Sequence, residues 1–254
     1  MVALIYRHLA TIPGALEWSW DLLEPWLRAG FLQQQAWQLA SAALIPRNVV
    51  IPRAALRAAG IDAFDERAIA AVLDAYNRAN PVNIMAVRCL ALHLAGEVPA
   101  SPDTGASSSW QPPSVSEPLP PMIDPSAMTP AVRELALLLT DRGAGAAPST
   151  LWPSLYRHLA HWPAFLGFAG VLVPPEFAAI DAGAARLRRQ VDAAATELAA
   201  RMKPPDRAAP AAGDRQRLQA AIAQFSARIP EMVVIGGVLR RALPADPPAT
   251  GNGK

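Results

Sequence analysis

The chain has 254 residues, of which 52% are apolar, and a formal net charge of only +2. That is material for a sizeable core, in one large domain or two small ones. The near balance of charge and the scatter of the basic residues argue against a nucleic-acid partner, and Arg186-Leu187-Arg188-Arg189 reads as a solvated helix face.

Strand signals are almost absent, while Ala, Leu, Arg and Gln, all good helix formers, dominate. The N-terminus starts apolar, but Arg7 and His8 interrupt the unbroken stretch that a signal peptide needs. Many of the 26 prolines stand where a helix could begin, including Pro13, Pro52, Pro81, Pro130, Pro163 and Pro230. Proline is tolerated there because its missing N–H would have no partner in the first turn. A helix from Pro13 carries Leu16, Trp20, Leu23 and Leu27 on one stripe. Further helices are expected over 31–44, 65–77 and 81–94, then 130–141, 175–202, 214–227 and 230–243. The intervening Pro/Ser-rich stretch reads as an irregular surface linker, and the end of the chain as a disordered tail. The longest apolar runs, near 165–174 and 232–239, fall short of the roughly 20 residues of a membrane span. The expectation is therefore a cytoplasmic protein with no membrane partner.

The most informative feature is an internal repeat. Tyr6-Arg7-His8-Leu9-Ala10 recurs as Tyr156-Arg157-His158-Leu159-Ala160, 150 positions later. A proline and then a leucine follow at matched spacing in both copies (Pro13 and Leu16, Pro163 and Leu166). Tyr76 to Pro81 (YNRANP) lies against Phe225 to Pro230 (FSARIP), 149 apart, with an apolar segment after each proline. The reading is an all-α chain of two related helical repeats packed as an intramolecular pseudo-dimer. The expected domains are 1–96, a linker over 97–127, 128–243, and the tail 244–254. The helix over 130–141 has no counterpart before the first YRHLA, so the core around Tyr6 should be less covered than that around Tyr156.

Chemistry is sparse. His8, His93, His158 and His161 are the only histidines, and none has companions at metal-ligand spacing, so no metal and no cofactor are expected. His8 and His158, as repeat partners, each read as closing a hydrogen bond between helices. The lone Cys89 sits in an apolar segment and has no partner for an internal disulfide. Gly-x-Ser-x-Gly, Cys-x-x-Cys and glycine-rich phosphate loops are missing. Asn80, just before Pro81, fits a helix N-cap, and Tyr76, Asn77, Asn80 and Asn83 gather amide and phenol groups where a small carboxylate could bind.

The repeat, the YNRANP junction and the IPEMVVIGGVLRRAL ending together resemble the group I 2-haloacid dehalogenase family, whose members accept both enantiomers. The resemblance implies two helical repeats with a buried site between them, and hydrolytic removal of halide from 2-haloalkanoic acids by direct attack of water. In the family an aspartate in a Ser-Asp-Tyr-like triplet activates that water. Here the triplet is Ser154-Leu155-Tyr156, and no Asp or Glu occurs between Asp141 and Glu176. Asn80 matches the family's active-site asparagine, while Asn83 stands where a tyrosine is expected. Trp20, Phe225 and Met232 fall where pocket walls are implied, although ordinary core packing explains them equally well. Pro153 occupies the position that controls enantiomer access.

Three readings follow. The chain is a degenerate family member with weak or no dehalogenase activity, whose ligand, if any, is a small carboxylate. It is a hydrolase with a relocated base, His158 in preference to His161. Or it is a non-catalytic interaction module, possibly homodimeric, to which Trp26 and Trp37 would contribute an interface.

Overall fold

The computed structural model describes residues 4–45, 49–98, 110–113, 118–140 and 152–245. Among these residues every regular element is helical, so the fold is all-α, as the composition led us to expect. In chain order the helices are α1 (Leu4–Leu9), α2 (Ala15–Arg28), α3 (Phe31–Ala43), α4 (Arg53–Ala58) and α5 (Ala63–Ala95). After the linker come α6 (Pro130–Thr140), α7 (Ser154–Leu159), α8 (Pro163–Leu172), α9 (Phe177–Arg201) and α10 (Ala212–Ala242). Single 3₁₀ turns stand at Pro125–Ala127 and Pro174–Glu176. In the linker, residues 110–113 and 118–124 carry no regular structure. Residues 99–109 and 114–117 of that segment, and the tail from residue 246, lie outside the described residues.

The chain divides into two compact units. The first comprises Met1–Ile45, Asn77–Ser116 and Ala179–Val234. Its core gathers Leu9, Trp18, Leu22, Leu32, Met85, Leu90, Leu187, Leu198 and Leu218, all essentially without solvent access. The second comprises Pro46–Tyr76, Glu117–Ala178 and Ile235–Lys254. Its buried side chains include Ile69, Leu73, Leu139, Leu155, Tyr156, Phe165, Leu166 and Leu239. There α4, which the sequence marked only by Pro52, is tied to the start of α5. Glu66, almost fully buried, accepts from Arg53 (3.1 Å) and Arg57 (3.0 Å).

Two expected helix pairs are each one helix. Segments 65–77 and 81–94 run together as the 33-residue α5, with Pro81 inside it. Segments 214–227 and 230–243 run together as the 31-residue α10, with Pro230 inside it. In each helix the proline comes 18 residues after the first (81 − 63, 230 − 212). An interior proline removes one backbone hydrogen bond and costs about 3 kcal/mol. In α5 burial on both sides offsets that cost: Ile69, Val72, Leu73 and Tyr76 before it, Ile84, Met85, Cys89 and Leu90 after it. Burying one Leu-sized side chain contributes about 1.5–3 kcal/mol, so a few suffice to carry the helix through. Asn80 is consequently an interior helical residue and caps nothing, which corrects the N-cap expectation.

The helical stretches are longer than the apolar runs on which the membrane expectation rested. Two helical stretches, Pro163–Arg201 and Ala212–Ala242, are long and apolar enough to cross a membrane by length and composition. A core helix passes the same test, and 56% of the most apolar window of α10 is buried inside the protein.

In α2 the buried stripe is Trp18, Leu22, Leu23 and Trp26, while Leu16 and Trp20 face solvent. Apolar residues at 16, 18, 20, 22, 23, 26 and 27 permit more than one helical stripe. The one that buries both Trp18 and Trp26 removes more area from water. Gly30, between α2 and α3, has a left-handed φ of 76°. The ring of Trp110, from the linker, lies where a side chain at Gly30 would begin, 2.2 Å from an ideal Cβ. The two YRHLA tyrosines differ as expected. Tyr156 is fully buried and donates to the Leu139 carbonyl of α6 at 3.4 Å, whereas Tyr6 is half-buried.

Candidate functional site

Helix α7 begins after Pro153, whose φ of −56° is preset by its ring. One turn of helix separates Ser154 from His158, so both side chains lie on one side of α7. In the second unit that side meets Tyr76 of α5. The Tyr76 hydroxyl lies 2.8 Å from Nδ1 of His158, and the two rings meet edge-on with centroids 5.6 Å apart. Tyr76 also shares a side-chain hydrogen bond with Ser154. Tyr76 and His158 are buried, while Ser154 is half-buried.

Electrostatics sort these groups. Burial raises the Tyr76 phenol above its ordinary range, opposed by the Ser154 hydrogen bond and by the charge of Arg157. Burial lowers the His158 pKa, against the pull of the Pro120 and Ser154 carbonyls toward the charged ring. At neutral pH the pair is therefore a neutral phenol beside a neutral imidazole. A stretch of linker without regular structure runs alongside. Arg157 Nε donates to the Ile123 carbonyl at 3.0 Å, and His161 Nε2 lies 2.7 Å from the Pro121 carbonyl. His161 lies past the end of α7 and is exposed, which separates it from the Tyr76 cluster. Beside this cluster Trp162 Nε1 donates to Asp65 at 2.9 Å.

The expected site residues fall in both units. Pro153, Ser154, Leu155 and His158 belong to the second, where Leu155 is 1% exposed. Asn80, Asn83, Trp20, Phe225 and Met232 belong to the first. There Asn80, Asn83 and Met232 are buried, Phe225 packs half-buried against the core, and Trp20 is 49% exposed. Of the two tryptophans read as interface residues, Trp26 is core, with the Arg201 guanidinium 5.1 Å from its ring. Trp37 is half-buried and donates to the Arg78 carbonyl at 2.9 Å.

Sequence reading named Tyr76 only among the groups of its junction, not as the partner of His158. The usable signal is the repeat: Tyr76 aligns with Phe225 and His158 with His8. Phe225 has no hydroxyl to offer, and His8 is exposed, so the expectation of a helix-to-helix bond holds for His158 alone. Cys89 is buried with its thiol pushed up to about 12 by desolvation, which leaves it a core residue. Among the described residues no group of three or more His, Cys, Asp or Glu side chains is placed to hold a metal ion.

No family model matches the chain, and no curated protein matches it in sequence. Solved structures do match in shape. A D-2-haloacid dehalogenase mutant in complex with D-2-CPA aligns with a TM-score of 0.70 at 17% identity, covering 95% of this chain and 86% of that one. A D-2-haloacid dehalogenase in complex with L-LA aligns with a TM-score of 0.71, at the same identity and coverage. At such identity the likeness speaks to architecture, and in architecture this chain has the all-helical fold of the D-2-haloacid dehalogenases.

Proposed function

We propose that this chain is a divergent relative of the 2-haloacid dehalogenases that keeps their repeat-built architecture and has lost direct water-attack catalysis. The observation that carries the reading is Leu155. It stands where the resemblance places the water-activating aspartate, it is fully buried, and a leucine accepts no proton. General-base assistance contributes roughly 10²–10⁴-fold, so its loss leaves weak dehalogenation or none. Pro153, at the position tied to enantiomer access, and Asn83, in place of a tyrosine, are further departures. The test is halide release from racemic 2-chloropropionate by the purified chain. Turnover at rates ordinary for an enzyme, about 1–10³ per second, would refute the reading.

A second reading has one observation in its favour, the hydrogen bond that fixes His158 against Tyr76. On this reading His158, kept neutral by burial, replaces the missing carboxylate as base. A measurable halide release that disappears in His158→Ala supports it, and release unchanged by that substitution removes it.

A further inference from the structure

We propose that Ser154, Tyr76 and His158 form a proton relay that makes Ser154 a nucleophile toward small activated esters. This activity is separate from halide displacement and needs neither Leu155 nor Asn80. Three observations meet here. Ser154 is the half-buried end of the cluster, next to the half-buried Trp152 and Pro153, so a substrate reaches it before the other two groups. Its hydroxyl is hydrogen-bonded to the Tyr76 phenol. The Tyr76 oxygen in turn lies 2.8 Å from a ring nitrogen of the buried His158.

A serine hydroxyl becomes a nucleophile only when a base takes its proton as it attacks. Buried Tyr76 stays protonated at neutral pH and so is no base by itself, but it can pass a proton on. In the tautomer whose ring proton is on Nε2, Nδ1 keeps a lone pair for the Tyr76 O–H. The Pro120 and Ser154 carbonyls steady the imidazolium that forms, and the Arg157 charge favours the phenol oxygen as it gives up its proton.

The step balances within the cluster. Ser154 Oγ bonds to the ester carbonyl carbon, its proton moves to the Tyr76 oxygen, and the Tyr76 proton moves to His158 Nδ1. The carbon–oxygen bond to the leaving group breaks, and the proton returns along the same path to the departing oxygen. This leaves acyl-Ser154 and an alcohol. Water then attacks the acyl carbon, the relay carries its proton back to Ser154 Oγ, and a carboxylic acid is released. The repeat-related positions, all in the first unit, are Leu4, Phe225 and His8, so no such relay can form there.

The full chain is treated with p-nitrophenyl acetate and, separately, with a fluorophosphonate, and the adduct is located by peptide mass mapping. The expected result is a single adduct on Ser154, lost in Ser154→Ala and unchanged in His8→Ala. In Tyr76→Phe labelling should slow by about 100-fold or more. Because Tyr76→Phe keeps the ring and its packing, a cooperative melt in that variant assigns the loss to the hydroxyl; His158→Gln provides a second test of the same relay. Absence of an adduct, an adduct on another residue, or undiminished labelling in Tyr76→Phe overturns the proposal. Halide release measured on the same samples reports on the dehalogenase reading alone.

Discussion

The hydroxyl of Tyr76 lies 2.8 Å from Nδ1 of His158, across 82 residues of sequence, with both side chains buried. Removing the hydroxyl by Tyr76→Phe leaves a buried imidazole nitrogen short of a partner. Such a group costs about 1–3 kcal/mol. The urea midpoint of Tyr76→Phe should therefore fall with its slope unchanged, whereas Phe225→Tyr should gain nothing comparable, since His8 is exposed. A Tyr76→Phe midpoint equal to that of the parent chain would show that the bond contributes nothing net.

Stability should depend on pH through the same histidine. His158 is depressed by burial below its ordinary 6.5, and His93 of α5 is depressed by burial as well. Between the lowered pKa and 6.5 the unfolded chain binds more protons than the folded one, so stability rises with pH across that window. It is complete above about 6.5 and is lost progressively on acidification. Tyr76 and the Pro120 and Ser154 carbonyls face His158, and the nearby Arg157 and His161 do not help it to accept a proton. Melting temperatures recorded between roughly pH 5 and 7 should rise with pH, and less steeply in His158→Gln, where His93 still contributes. A flat parent profile would remove the argument.

Leu155→Asp tests the resemblance at its decisive position. Leu155 is 1% exposed, so a carboxylate there is desolvated and its pKa rises, at a cost on the order of a few kcal/mol. The expected outcome is a destabilised chain with a small gain of halide release from 2-chloropropionate. Restored stability in mild acid, where the carboxyl is neutral, should accompany it. No gain from a folded variant would break the residue-by-residue correspondence with the dehalogenases.

Gly30→Ala tests the seat of Trp110. The left-handed φ alone disfavours a side chain by about 1–2 kcal/mol, and the new methyl would meet the indole ring at 2.2 Å. Gly14 has a φ of 70° but nothing within 4 Å of its ideal Cβ. Gly14→Ala should therefore cost only the backbone term, while Gly30→Ala costs more and shifts Trp110 fluorescence. Equal destabilisation of the two variants would mean that the indole is free to move aside.

The sequence by itself determined helix content, most helix locations and the correspondence of the two YRHLA segments, because propensity and periodicity are local. Pro130 and Pro163 were read correctly as helix starts, where the missing N–H has no partner to lose. Pro81 and Pro230 look the same locally yet lie inside helices, since apolar side chains flank each of them and, around Pro81, burial on both sides outweighs one lost hydrogen bond. The stripe of α2 was expected through Leu16 and Trp20 and runs instead through Trp18 and Trp26, because two faces were apolar and tertiary partners selected one. The site was partly legible: Leu155, Ser154 and His158 stood out in the sequence, and the Tyr76-to-Phe225 difference was visible in the repeat. That Tyr76 meets His158, while His8 faces solvent and His161 turns to a linker carbonyl, was decided by tertiary structure. Hydrogen bonds between residues far apart in the chain depend on which helix faces meet, and that depends on the whole core.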